Sequence, residues 1–331
     1  MNSAPATVSW LPSTPCPSAA MELFYYRDVQ NFGDQLNAWM WPQLLSGKFA
    51  AGSPSLFLGI GTVLKPTLPQ ADAYIVMGAG GGYGEFPLID DRWHIYAVRG
   101  PLTASELGLP VSAAITDPAC LISRLPVPPP NPAITSEVGF IPHWSSLWRM
   151  PWAEICADAG VHFISPDREF TAVAADIQGC QVVITEAMHG AITADALRIP
   201  WVPVSFGVDF NEFKWRDWQT SMELAAPIVE LPHVRPLVPF QTGESRGRAI
   251  VRKSINAPAR LLQLAALRRR LRELAQRIKR GDESIFLSRD EILSDRCDEL
   301  QRRIDRLNSD LDREQIRGIR RGPQPRPPFA P

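Results

Sequence analysis

The chain has 331 residues, 45% of them hydrophobic, which is enough for two ordinary domains that each bury a core. Its five cysteines and five histidines show no CxxC, HxH or HExxH spacing, so a disulfide framework and a local metal site are disfavoured and a reducing compartment is expected. The net charge of −1 hides an asymmetry, because residues 1–244 carry 12 Lys and Arg against 23 Asp and Glu, whereas residues 245–331 carry 22 against 12.

The first 20 residues contain four prolines and no charged side chain. They lack the basic start and the unbroken apolar segment of a signal peptide. We predict a disordered lead over residues 1–20, with Met1 and Met21 as alternative starts. No apolar run in the sequence reaches the roughly 18 residues that span a bilayer. A cytoplasmic protein is therefore expected.

Residues 21–124 alternate between strand-like and helical patterns. A turn at Asn31–Gly33 precedes a helical stretch at Gln35–Leu45, and a second helix is predicted from Leu102. Short apolar runs bounded by Gly, Pro or Asp are typical of buried parallel strands. These runs are Met21–Tyr26, Ser55–Ile60, Ala73–Met77 and His94–Val98. We predict a Rossmann-like domain over 21–124, followed by a proline-rich linker over 125–135.

Residues 136–244 repeat this plan. Strands are predicted at Val138–Pro142, Val161–Ser165, Val182–Thr185 and Trp201–Ser205, and helices at Trp152–Ala159, Phe170–Gln178 and His189–Leu197. Repeated strand–helix units imply parallel sheets with helices on both faces. The predicted fold class is therefore α/β, with two doubly wound Rossmann-like domains that face a cleft. Ligands bind such sheets at the carboxyl ends of the strands.

The basic residues 245–321 form a separate helical segment. Helices are predicted over 257–281 and 286–317, broken near Gly281, because leucines recur at the 3-4 spacing of a coiled-coil seam. Ser288 and Glu291 resemble a capping box at the start of the second helix. Residues 322–331 contain five prolines and are predicted to be disordered.

The motif Asn31-Phe32-Gly33-Asp34 follows the first strand and opens a helix. Gly33 allows a tight turn, and a helix N-terminus presents free N–H groups to an anion. Asp34 either faces the cleft or caps the helix. An ordinary N-capped turn explains the same residues.

Five glycines lie between Gly78 and Gly84, after a predicted strand. Backbone N–H groups at Gly80, Gly81 and Gly82 can close on a phosphate or a sugar. The segment is neither a Walker loop nor a clean dinucleotide fingerprint. The alternative is a flexible surface loop.

Two further residues lie at strand ends of the first domain. Arg99 precedes Gly100-Pro101, so it lies at a strand-to-helix corner where a guanidinium can bind a carboxylate or phosphate. The alternative is a salt bridge between elements. Asp117 precedes Pro118, where either a turn or a place in the cleft explains it.

The segment Glu186-Ala187-Met188-His189-Gly190 follows a strand and opens a helix in the second domain. His189 at this corner can act as general acid or base near neutral pH, or bind an anion when protonated. A helix-capping or core histidine is the alternative.

The tail carries clustered arginines. They are either the solvated outside of a self-associating coiled coil or a surface attracted to anionic lipid at the inner membrane face. Nucleic-acid binding is disfavoured, because the tail lacks interleaved aromatics and the body is acidic.

Taken together, these segments resemble the polysaccharide pyruvyltransferase family, in particular the branch that pyruvylates exopolysaccharides such as succinoglycan. The resemblance covers about residues 21–210. The segments that carry it are Tyr25-Tyr26, Asn31 to Asn37, Leu56 to Thr62, Gly78 to Gly84, Val98 to Pro101, Thr116 to Ala119 and Glu186 to Pro200.

The resemblance implies a two-domain fold of the GT-B kind and phosphoenolpyruvate as donor substrate, with no cofactor and no metal. It implies that the His189 motif and an arginine such as Arg99 help to bind the donor. We further predict that Asn31, Gly33, the glycine-rich loop and Gly190 contribute to donor binding. Many members have an arginine two residues before the motif histidine, where this chain has Ala187. Arg198 and Lys214 are candidates for the replacing cation.

The expected reaction adds pyruvate as a cyclic ketal to a sugar of a lipid-linked exopolysaccharide repeat unit. His189 is the first candidate for the acid, and Asp34, Asp117 and Glu186 are candidates for the base. A nucleotide-sugar glycosyltransferase and a non-catalytic coiled-coil assembly factor are the competing interpretations. The sequence leaves open the acceptor sugar, its hydroxyl pair and the ketal stereochemistry.

Overall fold

The structure is a computed structural model that describes residues 20–206, 210–234 and 246–321, with side chains described outside 246–258 and 314–321. The predicted disordered end segments, apart from Ala20, lie outside the described residues.

The first sheet contains four parallel strands in chain order: β1 (Glu22–Phe24), β2 (Ser55–Leu58), β3 (Ala73–Met77) and β4 (Trp93–Ala97). Every residue of β2, β3 and β4 is buried, as expected for strands covered on both faces. Helix α1 (Phe32–Leu44) follows β1, and helix α2 (Pro101–Glu106) follows β4. A 3₁₀ helix, Pro118–Arg124, ends this part of the chain.

The second sheet contains five parallel strands in the order β6-β5-β7-β8-β9. They are β5 (Val138–Ile141), β6 (His162–Phe163), β7 (Val182–Thr185), β8 (Trp201–Ser205) and β9 (Val229–Glu230). The helices between them are α3 (Trp144–Leu147), α4 (Trp152–Ala159), α5 (Phe170–Gly179), α6 (Met188–Ala196) and α7 (Glu212–Ser221). Strand β6 is shorter than predicted, because only His162 and Phe163 pair with β5.

The two sheets are joined through their helices. Helix α1 packs on α5, α6 packs on the 3₁₀ helix, and α7 packs on α2. One cluster of buried apolar side chains extends through elements of both sheets. The proline-rich segment lies alongside α5, where the Asn131 side chain donates a hydrogen bond to Asp176 at 2.7 Å. These contacts bring the carboxyl ends of the two sheets together.

The C-terminal segment is helical as predicted, with α8 (Arg246–Arg280) and α9 (Asp290–Arg321) separated at Gly281. Gly281 has a φ of +73°, a conformation that favours glycine at a helix end. The predicted capping box is wrong, because α9 begins at Asp290, so Ser288 precedes the N-cap position, and its hydroxyl bonds Asp195 and Arg198 instead.

The leucine seams of α8 and α9 pack on the body, each on a different sheet. Leu267, Leu271 and Leu274 of α8 are buried with α4 and the second sheet. The seam of α9, from Leu293 to Leu311, is buried against β4 and the 3₁₀ helix of the first part. The interpretation of this spacing as a coiled-coil contact is therefore corrected. Each fully buried leucine contributes about 1.5–3 kcal/mol, so α9 is part of the core.

Helices α8 and α9 are long but rich in charged residues. Within the ranges that the structure describes, no helix is both long and apolar enough to cross a membrane.

Candidate active site

A cavity of about 560 Å³ opens where the strand ends of the two sheets meet. Residues after β1 and β2 form one wall, and residues after β5 and β7 form the other. The polar and aromatic side chains that line it include Tyr26, Asn31, Asp34, Thr62, Lys65, Tyr83, His143, Trp144, His189 and Lys214. The cleft predicted at the carboxyl ends of the strands is thus present as a cavity.

Asn31 and Asp34 lie together at the start of α1. The Asn31 side chain accepts a hydrogen bond from Gly33 N at 3.4 Å and donates to Asp34 Oδ2 at 2.9 Å. Asn31 is thus the N-cap, and Asp34 points from the first turn into the cavity. Burial raises the pKa of Asp34 above its usual range, although His189, the bond from Asn31 and Lys214 oppose the shift. This carboxyl group therefore favours its protonated form more than a surface aspartate does.

Helix α1 is fixed to the end of β2 by Asn37, which is completely buried. Its side chain donates to Asp34 O and Ile60 O, both at 3.1 Å, and accepts from Ile60 N at 2.9 Å and from Trp41 Nε1 at 3.1 Å. Four satisfied bonds make this a rigid junction, which holds Asp34 in place.

His189 lies in the first turn of α6 and faces Asp117. Its Nε2 is 3.6 Å from Asp117 Oδ2, just beyond hydrogen-bond distance, and within the described part of the chain neither atom has a hydrogen-bond partner. The other oxygen of Asp117 accepts from Ala119 N at 3.0 Å, which fixes the carboxylate. Asp117 is fully buried and does not line the cavity. Asp117 therefore lies behind the imidazole, where its charge can orient the ring, and the prediction that it takes a proton from substrate is corrected because it does not reach the cavity.

Gly33 brings α1 against the same imidazole. A Cβ atom at this position would lie 2.4 Å from His189 Nδ1. The absence of a side chain therefore lets the two helix starts, one from each sheet, approach closely enough to place Asp34 and His189 in one cavity. Because Gly33 N is bound to Asn31, it is used in the turn and not as a free anion contact.

Two lysines supply the positive charge of the cavity. Lys214 of α7 is largely buried, and its Nζ donates to Tyr83 Oη at 3.0 Å. Lys65 lies over the ring of Tyr26, with Nζ 4.7 Å from the ring centroid. Lys214 lines the same cavity as Ala187 and so stays a candidate for the cation that replaces the family arginine. Arg198 does not, because its guanidinium bonds Ser288 and Asp290 at the start of α9.

His143 is a second histidine of the cavity, and the sequence analysis did not select it. It follows β5, and its Nδ1 lies 2.8 Å from Ser145 Oγ. Burial lowers its pKa to about 3, helped by the nearby charges of Lys214, Arg149 and His189. It is therefore a neutral imidazole at physiological pH. Its position after a strand on the same sheet edge as His189 was the signal that could have identified it.

Glu186 is not a cavity residue. Its carboxylate accepts from His143 N at 2.9 Å, Ser146 Oγ at 2.5 Å and Phe206 N at 3.2 Å. Burial raises its pKa, and these bonds only partly oppose that effect. Glu186 therefore ties β5, β7 and β8 together behind the site, and its predicted role as a catalytic base is corrected.

Arg99 is also not available to a ligand. It is fully buried and bonds Asp217 Oδ2 at 3.0 Å, Thr62 Oγ1 at 3.0 Å and Gly81 O at 2.8 Å. Asp217 also accepts from Leu102 N and Thr103 N at the start of α2. The predicted donor contact is replaced by the alternative, a salt bridge between elements, which joins α7 to the first sheet.

The glycine-rich loop serves packing. Gly80 N donates to Gly61 O at 2.9 Å, and a Cβ at Gly80 would lie 2.4 Å from Arg99 Cζ. Gly81 faces the Phe86 ring, and Gly82 has a φ of +130°. These three glycines do not line the cavity, so the predicted phosphate cradle is corrected. The loop does carry Tyr83 to the wall of the cavity.

Gly190 likewise permits close packing. A Cβ there would lie 2.4 Å from Thr185 Oγ1, the hydroxyl at the end of β7. Gly190 therefore sets α6 against the sheet and is not a cavity contact, which corrects its predicted role in donor binding. Helix α6 itself begins at the cavity with Ala187 as N-cap and no side-chain cap, so its N-terminus can attract an anion.

The geometry thus groups several functional features around one cavity. They are the carboxyl group of Asp34, the imidazole of His189 with Asp117 behind it, two lysines and the N-terminus of α6. Such a set can bind a small anion with two acidic groups and move protons on both sides of it. Among the residues described, no three His, Cys, Asp or Glu side chains are grouped as a metal ion would require.

Comparison with known proteins shows that the second wall of this cavity is similar to a known family. Residues 88–207, which include His143 and His189, match the family model named Polysaccharide pyruvyl transferase. Over 203 residues the chain is 40% identical to the succinoglycan biosynthesis protein ExoV of Rhizobium meliloti (strain 1021). That match covers 60% of this chain and 64% of the relative, so it spans less than two thirds of the relative's length. The resemblance to this family and to its exopolysaccharide branch is confirmed.

Proposed function

Because residues 88–207 match the polysaccharide pyruvyl transferase family model, we propose that the chain transfers pyruvate from phosphoenolpyruvate to a sugar, as a cyclic ketal. The observation that carries this proposal is the cavity itself, in which Asp34 from one sheet faces His189 from the other, next to Lys214. The acceptor is a sugar of a lipid-linked exopolysaccharide repeat unit.

The donor is a small molecule with a carboxylate and a phosphate, and the cavity offers matching cations. Lys214 and Lys65 bind its two anionic groups, and the start of α6 adds the N–H groups of its first turn. Lys214 takes the place of the family arginine missing at Ala187. Phosphoenolpyruvate requires no cofactor for this transfer.

Each wall of the cavity supplies one of the two groups that transfer protons. Asp34, whose pKa is raised by burial, protonates the methylene carbon of the enol. His189, oriented by Asp117, accepts the proton of the attacking sugar hydroxyl. This assignment exchanges the acid and base expected from the sequence.

The bonds and protons balance in this scheme. One hydroxyl oxygen bonds to the carbon that becomes cationic when the enol is protonated. The bond from that carbon to the phosphate oxygen then breaks, and the second hydroxyl of the same sugar closes the ketal. Its proton leaves with inorganic phosphate, and the proton accepted by His189 returns to Asp34 through solvent, so both groups regain their starting states. The lysines stabilise the charge that develops on the phosphate.

The wider arrangement follows from the same proposal. The two parallel sheets, divided by residues 125–135, act as the two domains of a GT-B-like enzyme in the cytoplasm. A lipid-linked acceptor requires an enzyme at the inner membrane face, and exposed arginines of α8 such as Arg269 and Arg280 favour contact with anionic lipid. Since α9 completes the core, deletion of the tail is a poor test of that contact. Arg269→Glu with Arg280→Glu should instead reduce binding to phosphatidylglycerol vesicles, and unchanged binding would reject it.

The donor is tested by thermal unfolding with and without millimolar phosphoenolpyruvate. Saturation at a hundred times the dissociation constant adds about 2.7 kcal/mol, which shifts Tm by several degrees. Lys214→Gln should lose this shift. Lys48→Gln is the matched control, because Lys48 pairs with Asp312 away from the cavity. Protection by UDP- or GDP-sugars and not by phosphoenolpyruvate would favour the competing glycosyltransferase function.

A further inference from the structure

Two tryptophans lie on one short segment at the mouth of the cavity. Trp144 begins α3 and lines the cavity, and Trp148 is the C-cap of the same helix. Their exposed fractions are 37% and 77%. Residues four apart lie on the same face of a helix, so the two side chains leave α3 in one direction, displaced by about 6 Å along its axis.

These two rings differ from the tryptophans of the core. Trp41, Trp152 and Trp201 are almost completely buried. An indole left 77% exposed keeps most of its apolar surface in water, which makes it available to a ligand. The pair is narrow and lies beside a polar cavity, unlike the broad apolar patch that mediates association of protein chains.

The segment that carries the rings is held rigidly. Ser146 Oγ and His143 N both donate to Glu186, at 2.5 and 2.9 Å, and Trp152 Nε1 donates to Ser146 O at 2.9 Å. Glu186 therefore fixes α3 relative to His189, which lies three residues along the chain. A platform held in this way binds with little loss of conformational entropy.

A further exposed aromatic ring lines the cavity. Tyr83 lies there with 52% of its surface exposed, and its hydroxyl accepts from Lys214. An occupant of the cavity thus meets the rings of Trp144 and Tyr83 together with polar groups such as Lys214. The faces of a sugar ring carry C–H groups and its edge carries hydroxyls, which is the complementary chemistry.

We propose that Trp144 and Trp148 form a carbohydrate platform that binds two successive sugar units of the acceptor. Trp144 stacks on the sugar that enters the cavity, and Trp148 stacks on the next unit outside it. The platform makes the protein selective for a chain over a single sugar. This inference rests on the proposed function for the role of the sugar as acceptor, but not for its binding.

The test uses an array of linear gluco- and galacto-oligosaccharides of one to eight units, without donor. Wild-type protein should bind chains of two or more units better than single sugars. Trp148→Ala should weaken chain binding about tenfold, the loss expected for one stacked ring, and Trp148→Tyr should restore most of it. Trp144→Ala should weaken binding at every length. Leu262→Ala on α8, which is 73% exposed, is the control for a lost surface apolar side chain.

Glycan binding equal in wild type, Trp144→Ala and Trp148→Ala, or absent from all three, would overturn the platform. The donor is measured separately through the Tm shift with phosphoenolpyruvate in the same variants. Tryptophan-dependent glycan binding without a Tm shift from phosphoenolpyruvate would reject pyruvyl transfer and keep the platform. A Tm shift without tryptophan-dependent glycan binding would reject the platform and keep pyruvyl transfer.

Discussion

Replacement of Gly33 by alanine tests the closest contact of the candidate site. The new Cβ would lie 2.4 Å from His189 Nδ1 and 2.8 Å from its Cβ and Cγ. Carbon atoms are in favourable contact at about 3.5–4.0 Å, so the imidazole or the start of α1 must move by about 1 Å. Gly33 lies inside α1 without a positive φ, so this steric contact is the main unfavourable effect of the substitution.

The expected effect on activity is larger than the effect on stability. A displacement of about 1 Å costs about a hundredfold in rate when it separates a catalytic group from its substrate. Overpacking costs about 1–3 kcal/mol in unfolding free energy, and the change from glycine to alanine in a helix returns about 0.5–1 kcal/mol. The net loss of stability is therefore about 0–2.5 kcal/mol.

Stability is measured by urea denaturation of the purified protein. Activity is measured as phosphate release from phosphoenolpyruvate, with membranes of a strain that lacks the gene and accumulates the acceptor. His189→Gly supplies the control background, because it removes both the ring and the Cβ atom that the new methyl group meets. In that background Gly33→Ala should be neutral or stabilising. An equal stability loss in both backgrounds, or near wild-type activity of Gly33→Ala alone, would refute the contact.

Three further predictions concern the charged groups. The raised pKa of Asp34 means that its carboxyl group holds a proton more tightly in the folded protein than in the unfolded chain. Ionisation of Asp34 therefore lowers the free energy of unfolding at pH values above the raised pKa, and has no such effect below the ordinary value of 3.8. Asp34→Asn should therefore raise Tm at pH 7 and not at pH 3.5, and abolish transfer; an equal gain at both pH values would contradict the shift. Asp117→Asn should reduce kcat about 10²–10⁴-fold with an unchanged KM for phosphoenolpyruvate, and a changed KM alone would reject its positioning role. Arg99→Met should cost about 3–5 kcal/mol by urea denaturation, because it leaves Asp217 charged and buried, and Asp217→Leu in the same chain should recover part of that loss. A folded, fully stable Arg99→Met protein would show that the buried pair is not needed.

The sequence identified the two residues that face each other across the cavity. Asp34 and His189 both follow apolar runs that predict parallel strands, and both open helices. Since parallel strands present their carboxyl ends at one edge, local patterns were enough to bring these residues to the cleft. The same argument applies to His143, which follows β5 and was overlooked.

The same local pattern failed for Arg99, which also follows a strand. Its partner Asp217 lies 118 residues further along the chain, on a helix that follows the second sheet. No local signal shows that α7 packs on α2 and covers this strand end. Glu186 was misassigned for a similar reason, because its hydrogen-bond partners come from loops after β5 and β8.

The leucine seams of α8 and α9 show most clearly which features the sequence determines and which depend on the tertiary structure. Their 3-4 spacing determined two helices, each with one apolar face, and Gly281 determined the break between them. Spacing does not identify the surface that covers such a face, because any complementary apolar surface satisfies it. Tertiary structure decided that α8 covers the second sheet and α9 returns to β4 of the first. Sequence by itself thus determined most of the strands and helices and the sheet edge at which the cavity opens, but not α3, α7 or β9. The fold decided which polar groups at that edge remain open to a ligand, because contacts between distant segments enclosed Arg99 and Glu186 and left Asp34, His189 and Lys214 in the cavity.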